Sequence, residues 1–431
     1  MTDKKTAIAV IEALRKGTPP EKGVELYAVG NEKLLAGIRK FHLSAIADSG
    51  IIRFVNGSWG SGKTHFFRQF RELAFQENCL VSTVDPGKDN AKLDKFESVF
   101  GAIIKNVSPP PSPDETDSAE TPFAKTLKES LNRFSEKSDA VSNSISHKQY
   151  SNAVSALMAD EKIDIDFRRM VQAYWATLLP DKSPAGASNE RGEILQWFTA
   201  EQVTGAFNLN ALKKKYGVNK LIKRENAKLI LGSLGEFLRF SGWNGLVVLF
   251  DETEQSYSRM SKTGLLDAHN NLLTLINNIE SLPGLFLVYA TTPDFYTNRK
   301  HGIVIYGALS GRIGEPRERP PSALDVIWNF DAVESKLEDY QSAAKKIRAV
   351  YITAYPDSEA ALPSEEDIAD QTAELFKMHS SAAEIRFWRL LTTATVASLD
   401  DHYQENPIRD AEELYADSIN IIKKDAEEEE E

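Results

Sequence analysis

The stretch Gly57-Ser58-Trp59-Gly60-Ser61-Gly62-Lys63-Thr64 constrains this chain more than any other, because it matches G-x-x-x-x-G-K-[ST] at every fixed position. Its glycines permit backbone torsions that side chains resist, so successive N–H groups can turn toward one anion. Lys63 is long enough to reach β- and γ-phosphates, and Thr64 carries a hydroxyl suited to Mg2+. Such a loop leaves a strand and enters a helix, whose positive end adds to the attraction. The flanks agree. Ile51 to Val55 is a β-branched and aromatic run closed by Asn56-Gly57, and a helix is expected from about Lys63 to Gln76. Gly57, Ser58, Trp59, Gly60, Ser61, Gly62, Lys63, Thr64 and the following His65 are the expected nucleotide-binding positions. No second His, Cys or acid stands at ligand spacing from His65, so it does not read as a metal site.

Four further strands are predicted: Cys79–Asp85, Gly245–Phe250, Gly284–Thr292 and Asp325–Phe330. Short apolar strands, each followed by a helix or polar turn, predict an α/β fold with a five-stranded parallel sheet covered by helices. Residues 6–16 read as an amphipathic helix ended by Gly17-Thr18-Pro19-Pro20, and Leu34 to Ala47 again has helical spacing. The stretch 108–122 is a Pro, Ser and acid-rich linker, and 123–240 is mostly helical with a loop at 181–190. Helices are expected over 334–354, 365–378, 382–399 and 410–424, as a smaller second domain, before an acidic run at 425–431.

Composition narrows the function. With 63 acidic against 51 basic residues the net charge is −12, which argues against bulk nucleic-acid binding by an overall basic fold. The single cysteine, Cys79, excludes a disulfide framework and any zinc site of two or more cysteines, and fits a reducing compartment. No targeting segment is visible, and the apolar runs are too short to span a bilayer. The chain reads as soluble and cytoplasmic, with no membrane partner.

The chemistry centres on Asp251-Glu252, which directly follow the apolar run Val247-Val248-Leu249-Phe250. In a P-loop fold an acid there holds Mg2+, the role expected of Asp251. A second acid can orient or deprotonate water, the role expected of Glu252, with Glu254 in reserve. Alternation along a strand would point the two carboxylates apart. A glutamate beside the magnesium aspartate favours an ATPase, and no Asn-Lys-x-Asp guanine-reading motif occurs, so ATP with Mg2+ is the expected ligand. Thr292, with Thr291 next, ends the fourth strand and is placed to meet the γ-phosphate or the attacking water. Arg312 is the candidate for an arginine supplied to a neighbouring subunit, ahead of Arg317 and Arg319. Arg386 is expected to reach back from the late helices to the γ-phosphate, and Arg389 would share its helix face. Lys213 to Lys228 is the most basic stretch and the local candidate for nucleic-acid backbone contact.

The segments GSWGSGKTHFFRQF, GLVVLFDETE, LPGLFLVYATTPDFYTNRKHGIVIYGALSGRI and IRAVYITAYP, taken in order, give the chain a family likeness from about residue 23 to 400. It resembles the BREX-type P-loop ATP-binding proteins of bacterial phage defence (BrxD-like), which are similar in turn to the Orc/Cdc6-like branch of AAA+ ATPases. The resemblance implies an AAA+ core over 49–105 and 241–332, a helical lid over 333–424, an N-terminal helical segment over 1–48 and an acidic tail over 425–431. The 160-position gap from Asp85 to Gly245 implies a long helical insertion, bounded at 106–240. Thr292 falls at sensor 1, where the family usually carries Asn. Arg312 falls near the arginine finger and Arg386 near sensor 2. Catalysis is thus expected of Glu252, Lys63, Thr292 and Arg312. The stretch after residue 400 is short for a winged helix. The resemblance further implies ATP hydrolysis, a homo-oligomer, other phage-defence proteins as partners, and DNA reached directly or through them. The alternative is a nucleotide-gated adaptor that scaffolds defence partners with little turnover.

Overall fold

The computed structural model describes residues 3–110, 120–136, 146–181, 183–200, 209–379 and 386–430. Its centre is one parallel sheet of β1 (Ile51–Asn56), β2 (Cys79–Val84), β3 (Gly245–Phe250), β4 (Leu285–Thr291) and β5 (Ile327–Asn329), in the order β2-β3-β4-β1-β5. β3 and β4 are buried along their whole length, which is why they read as unbroken apolar runs. The fifth strand is shorter than the predicted Asp325–Phe330. Asp325 is taken up by the Ser322 N–H and by Arg317 and Arg319, while Phe330 opens a 3-10 turn, Phe330–Ala332. This is a P-loop AAA+ core with a helical C-terminal part.

Alternate strand residues feed two cores. Val55, Val81, Val247, Leu249, Phe286 and Val288 face the helices α2 (Glu32–Phe41) and α3 (Lys63–Gln76). On α3, Phe66, Phe70 and Leu73 recur at helical spacing and bury against this face. Phe66 packs edge-on to Trp328 (5.8 Å between ring centroids) and lies 5.0 Å from Phe330, so the helix that follows the glycine loop is wedged against β5.

The opposite face, with Phe54, Leu80, Leu246, Val248 and Leu287, shares its core with the segment between β2 and β3. That segment runs α4 (Phe96–Asn106), α5 (Pro122–Glu136), α6 (His147–Ala159), α7 (Ile165–Ala176), α8 (Pro184–Phe198), α9 (Leu209–Tyr216) and α10 (Ala227–Phe240). Trp175 is fully buried and donates its indole N–H to the Leu127 carbonyl at 2.9 Å. The loop expected at 181–190 is mostly helix. Ser183 caps the Gly186 N–H and Pro184 occupies the first turn, a start signal stronger than the Gly and Ser content around it. Most of the expected linker lies at 111–119, outside the described residues.

After β3 come α11 (Thr253–Arg259) and α12 (Lys262–Asn278), and after β4 come α13 (Pro293–Thr297) and α14 (Gly307–Ile313). The chain then builds a helical bundle from α15 (Leu337–Ala354), α16 (Glu365–Met378), α17 (Phe387–Tyr403) and α18 (Ala411–Glu430). The helix expected from 382 begins at Phe387; residues 380–385 are not among those described. α18 continues through the acidic run to Glu430. Residues 1–48 do not share one core. The N-terminal helix α1 (Lys4–Arg15) buries Val10, Ile11 and Leu14 in the C-terminal bundle, whereas Leu34 and Ile38 of α2 join the sheet. Arg15 locks α1 to Asp400 at 2.7 Å. No helix among the described residues is long and apolar enough to cross a membrane.

Phe66 thus sets the seat of the loop helix. Phe66→Ala is expected to lower the unfolding free energy by about 3–5 kcal/mol, read from urea denaturation.

Candidate functional site

Because all five strands are parallel, their C-terminal ends share one edge of the sheet. β4 lies between β1 and β3, pairing Asn56 with Thr291 on one side and Phe250 with Tyr289 on the other. The glycine loop leaves β1 and the acidic pair leaves β3 at this edge, so residues nearly two hundred positions apart meet. Thr64 Oγ1 donates to Asp251 Oδ2 at 2.9 Å.

The loop folds as its glycines require. Gly60 and Gly62 have φ of +73° and +91°, a region that side chains disfavour. The Gly57 N–H donates to the Thr291 carbonyl, and the Lys63 ammonium donates to the Gly57 and Ser58 carbonyls at 2.6 and 3.3 Å. The first intrahelical bond of α3 runs from the Phe66 N–H to the Gly62 carbonyl, leaving the N–H groups of Lys63, Thr64 and His65 at the open helix end. The Ser61 hydroxyl is buried with no hydrogen-bond partner. These donors converge at one helix terminus, which suits a polyphosphate. Trp59 stands outward, 62% exposed.

Asp251 is 8% exposed, and burial raises its carboxyl above the ordinary range against the lowering effect of the Thr64 hydrogen bond, the Glu252 N–H and Lys63. A buried carboxylate beside a hydroxyl is a donor set that fits Mg2+ when phosphate oxygens complete the shell. Among the described residues no cluster of three or more His, Cys, Asp or Glu side chains could hold a metal by itself. Glu252 follows in the left-handed region at φ +52°, so a sharp backbone turn rather than strand alternation separates the two acids. Its carboxylate accepts from Gln255 Nε2 at 3.0 Å. Glu254 lies in the first turn of α11, and its side chain is outside the described residues.

The two threonines separate cleanly. The Thr291 hydroxyl pairs with the Val55 carbonyl at 3.2 Å and the Tyr296 hydroxyl at 2.9 Å, stapling β4 to β1. Thr292 is 7% exposed, stands just beyond the strand beside the loop, and caps nothing with its side chain. His65 turns toward Tyr27, whose hydroxyl is 3.3 Å from Nδ1, and burial lowers the imidazole to about 4. A neutral ring in edge contact with a tyrosine offers an aromatic surface rather than a phosphate-binding charge.

The arginines diverge. Arg312 is exposed on α14, and no partner for it occurs among the described residues. Arg317 and Arg319 both pair with Asp325. Arg386 is the residue before α17 and not part of it, so it shares no helix face with Arg389, which donates to the Gly17 carbonyl instead. Arg386 reaches the phosphate loop. A Cβ on Gly60 would lie 3.0 Å from its Cγ, and its guanidinium is 3.3 Å from Asp331. Asp331 was not a sequence candidate. Both its oxygens accept from the Ser58 N–H, at 3.0 and 2.9 Å, and Oδ2 also accepts from the Ser58 hydroxyl at 2.8 Å. A lone acid in Asn329-Phe330-Asp331 carries no spacing signal.

The basic stretch is partly neutralised. Lys215 pairs with Glu193 at 2.6 Å, Lys220 with Asp164 at 3.2 Å and Arg224 with Asp267 at 3.1 Å. Lys228 lies over the Phe96 ring. The acids come from distant sequence, which is why the run reads as free charge.

No curated protein matches the chain. A family model does, that of the BREX system ATP-binding protein BrxC/D, over residues 2–418. With a match over nearly its whole length, and a phosphate loop facing a buried Asp251, the chain belongs to the BrxC/D family of BREX system ATP-binding proteins.

Proposed function

We propose that this protein is an ATP-hydrolysing AAA+ ATPase, cytoplasmic, that assembles with copies of itself and remodels or loads phage-defence partners on DNA. ATP binding and the BREX setting come with the family. The observation that carries the rest is the 2.9 Å hydrogen bond between Thr64 and Asp251, with Glu252 next in the chain.

In this reading Gly57 to Thr64 wrap the triphosphate, and Lys63 exchanges its carbonyl partners for β- and γ-phosphate oxygens. Thr64 and Asp251 hold Mg2+, which when bound neutralises charge spread over those oxygens. Glu252 takes a proton from water as the water oxygen bonds to the γ-phosphorus and the bond to the ADP oxygen breaks, giving ADP and phosphate. Thr292 offers its hydroxyl to the γ-phosphate or to that water. His65 stays packed on Tyr27 in the first turn of the loop helix. Arg312, exposed on α14, serves the site of a neighbouring copy, and Arg386 serves its own. DNA is met directly or through partners; of the basic stretch, Lys215, Lys220 and Arg224 are already paired.

One observation favours the second reading, a nucleotide-gated adaptor with little turnover: the Glu252 carboxylate is engaged by Gln255. ATP turnover by the purified protein separates the two. Lys63→Ala should abolish nucleotide binding. Glu252→Gln should keep binding but lose about 10²–10⁴-fold in turnover. A wild type that binds ATP without turning it over, alone or with double-stranded DNA, would leave the adaptor reading.

Two further outcomes are expected. Arg312→Ala should leave nucleotide affinity intact, lower kcat by roughly 10³-fold, and remove the dependence of specific activity on protein concentration. Asp251→Asn should raise the melting temperature of the nucleotide-free protein. Its raised carboxyl means the folded state holds the proton more tightly than the unfolded state, so stability falls as pH rises through the folded value, and that loss is in force at neutral pH. The same variant should shrink the thermal shift produced by Mg2+ and ATP.

A further inference from the structure

We propose that Asp331 is a carboxylate latch: it holds the phosphate loop and Arg386 together, and a γ-phosphate competes it off Arg386, so Asp331 limits the preference for ATP over ADP. The proposal rests on the reading of Gly57 to Thr64 as the phosphate site.

Three contacts meet at this one side chain. Its two oxygens accept the Ser58 N–H at 3.0 and 2.9 Å, Oδ2 accepts the Ser58 hydroxyl at 2.8 Å, and Oδ1 lies 3.3 Å from Arg386 Nη2. The carboxylate is held from behind. The Asp331 N–H donates to Asn329 Oδ1 at 3.3 Å, and the same oxygen accepts from Asn56 Nδ2 at 2.9 Å. Asn56 ends β1 and Asn329 ends β5, so the latch is mounted on the two strands that flank the loop. Arg386 is equally committed, because its stem crosses the loop at Gly60, where a Cβ would lie 3.0 Å from Cγ.

The chemistry of exchange follows from charge. A guanidinium pairs with a carboxylate or a phosphate through the same N–H groups, and the two acceptors compete. The γ-phosphate is the group that ATP has and ADP lacks. It repels Asp331 and attracts Arg386, so the energy spent in breaking the Asp331 pair is subtracted from ATP binding and not from ADP binding. Asp331 is a positioning residue in this scheme, acting through Arg386 and Ser58.

The test measures affinities of Mg2+–ATPγS and Mg2+–ADP by calorimetry at fixed ionic strength. Asp331→Asn keeps an acceptor for the Ser58 N–H and removes the charge. It should raise the ratio of ADP to ATPγS dissociation constants about fivefold or more, and the rise should vanish when Arg386→Ala is also present. A second readout needs no nucleotide. Amide exchange at Ser58 should quicken in Asp331→Ala and stay slow in Asp331→Asn. An equal gain for both nucleotides, or a ratio change that persists without Arg386, would mean simple removal of negative charge and overturn the latch. Lys63→Ala keeps the two readings apart. If it leaves both affinities unchanged, the phosphate-site reading fails and takes the latch with it. If it abolishes both while Asp331→Asn changes nothing, the latch alone is wrong.

Discussion

The pairing of β4 between β1 and β3 is the constraint on which the rest depends. Asn56 opposite Thr291 and Phe250 opposite Tyr289 bring the end of β1 and the end of β3 to one level. One register step on either side would turn each strand's buried side chains to the other face and move the loop relative to Asp251. The Thr64 to Asp251 hydrogen bond therefore reports on the whole ladder, and the burial of β3 and β4 makes that ladder hard to slip.

The helices between β2 and β3 change what the sheet is. A crossover needs one helix, yet α4 to α10 and one face of the sheet form a continuous core that includes Trp175, Phe167 and Phe237. The segment is a structural layer. Its charged outer stretch from Lys213 is partly closed by acids of α8 and α12 and by the residue capping α7, which ties the layer together and lowers its field. The nucleotide edge is correspondingly one-sided: the loop helix α3 sits with α2 on one face, and the residues that reach it from beyond the sheet come from the turn after β5 and the residue before α17.

Much of this was legible in the residues. The glycine loop and Asp251-Glu252 carry their own local spacing, and unbroken apolar runs announced the buried strands. Features that depend on distant partners were not legible. Asp331 matters only because β5 lands beside β1, and the helix face expected to join Arg389 to Arg386 is absent because α17 begins at Phe387. The left-handed backbone of Glu252 leaves no trace in composition, since Glu is not a residue that prefers it. The pairing within the Lys213 to Lys228 run was hidden for the same reason: the acids that meet Lys215, Lys220 and Arg224 lie far off in sequence.

The seating of α1 in the C-terminal bundle has a temporal consequence. Arg15 and Asp400 are 385 residues apart. At about 5–20 residues per second, α1 leaves the ribosome roughly 20–80 s before its binding surface exists. A twelve-residue helix is marginal alone, and its Val10, Ile11 and Leu14 stripe stays open to water meanwhile. The sheet and its loop can close first, with the bundle that carries Arg386 completed after them. Nascent chains would then pass through a stage with a formed phosphate loop and no arginine above it.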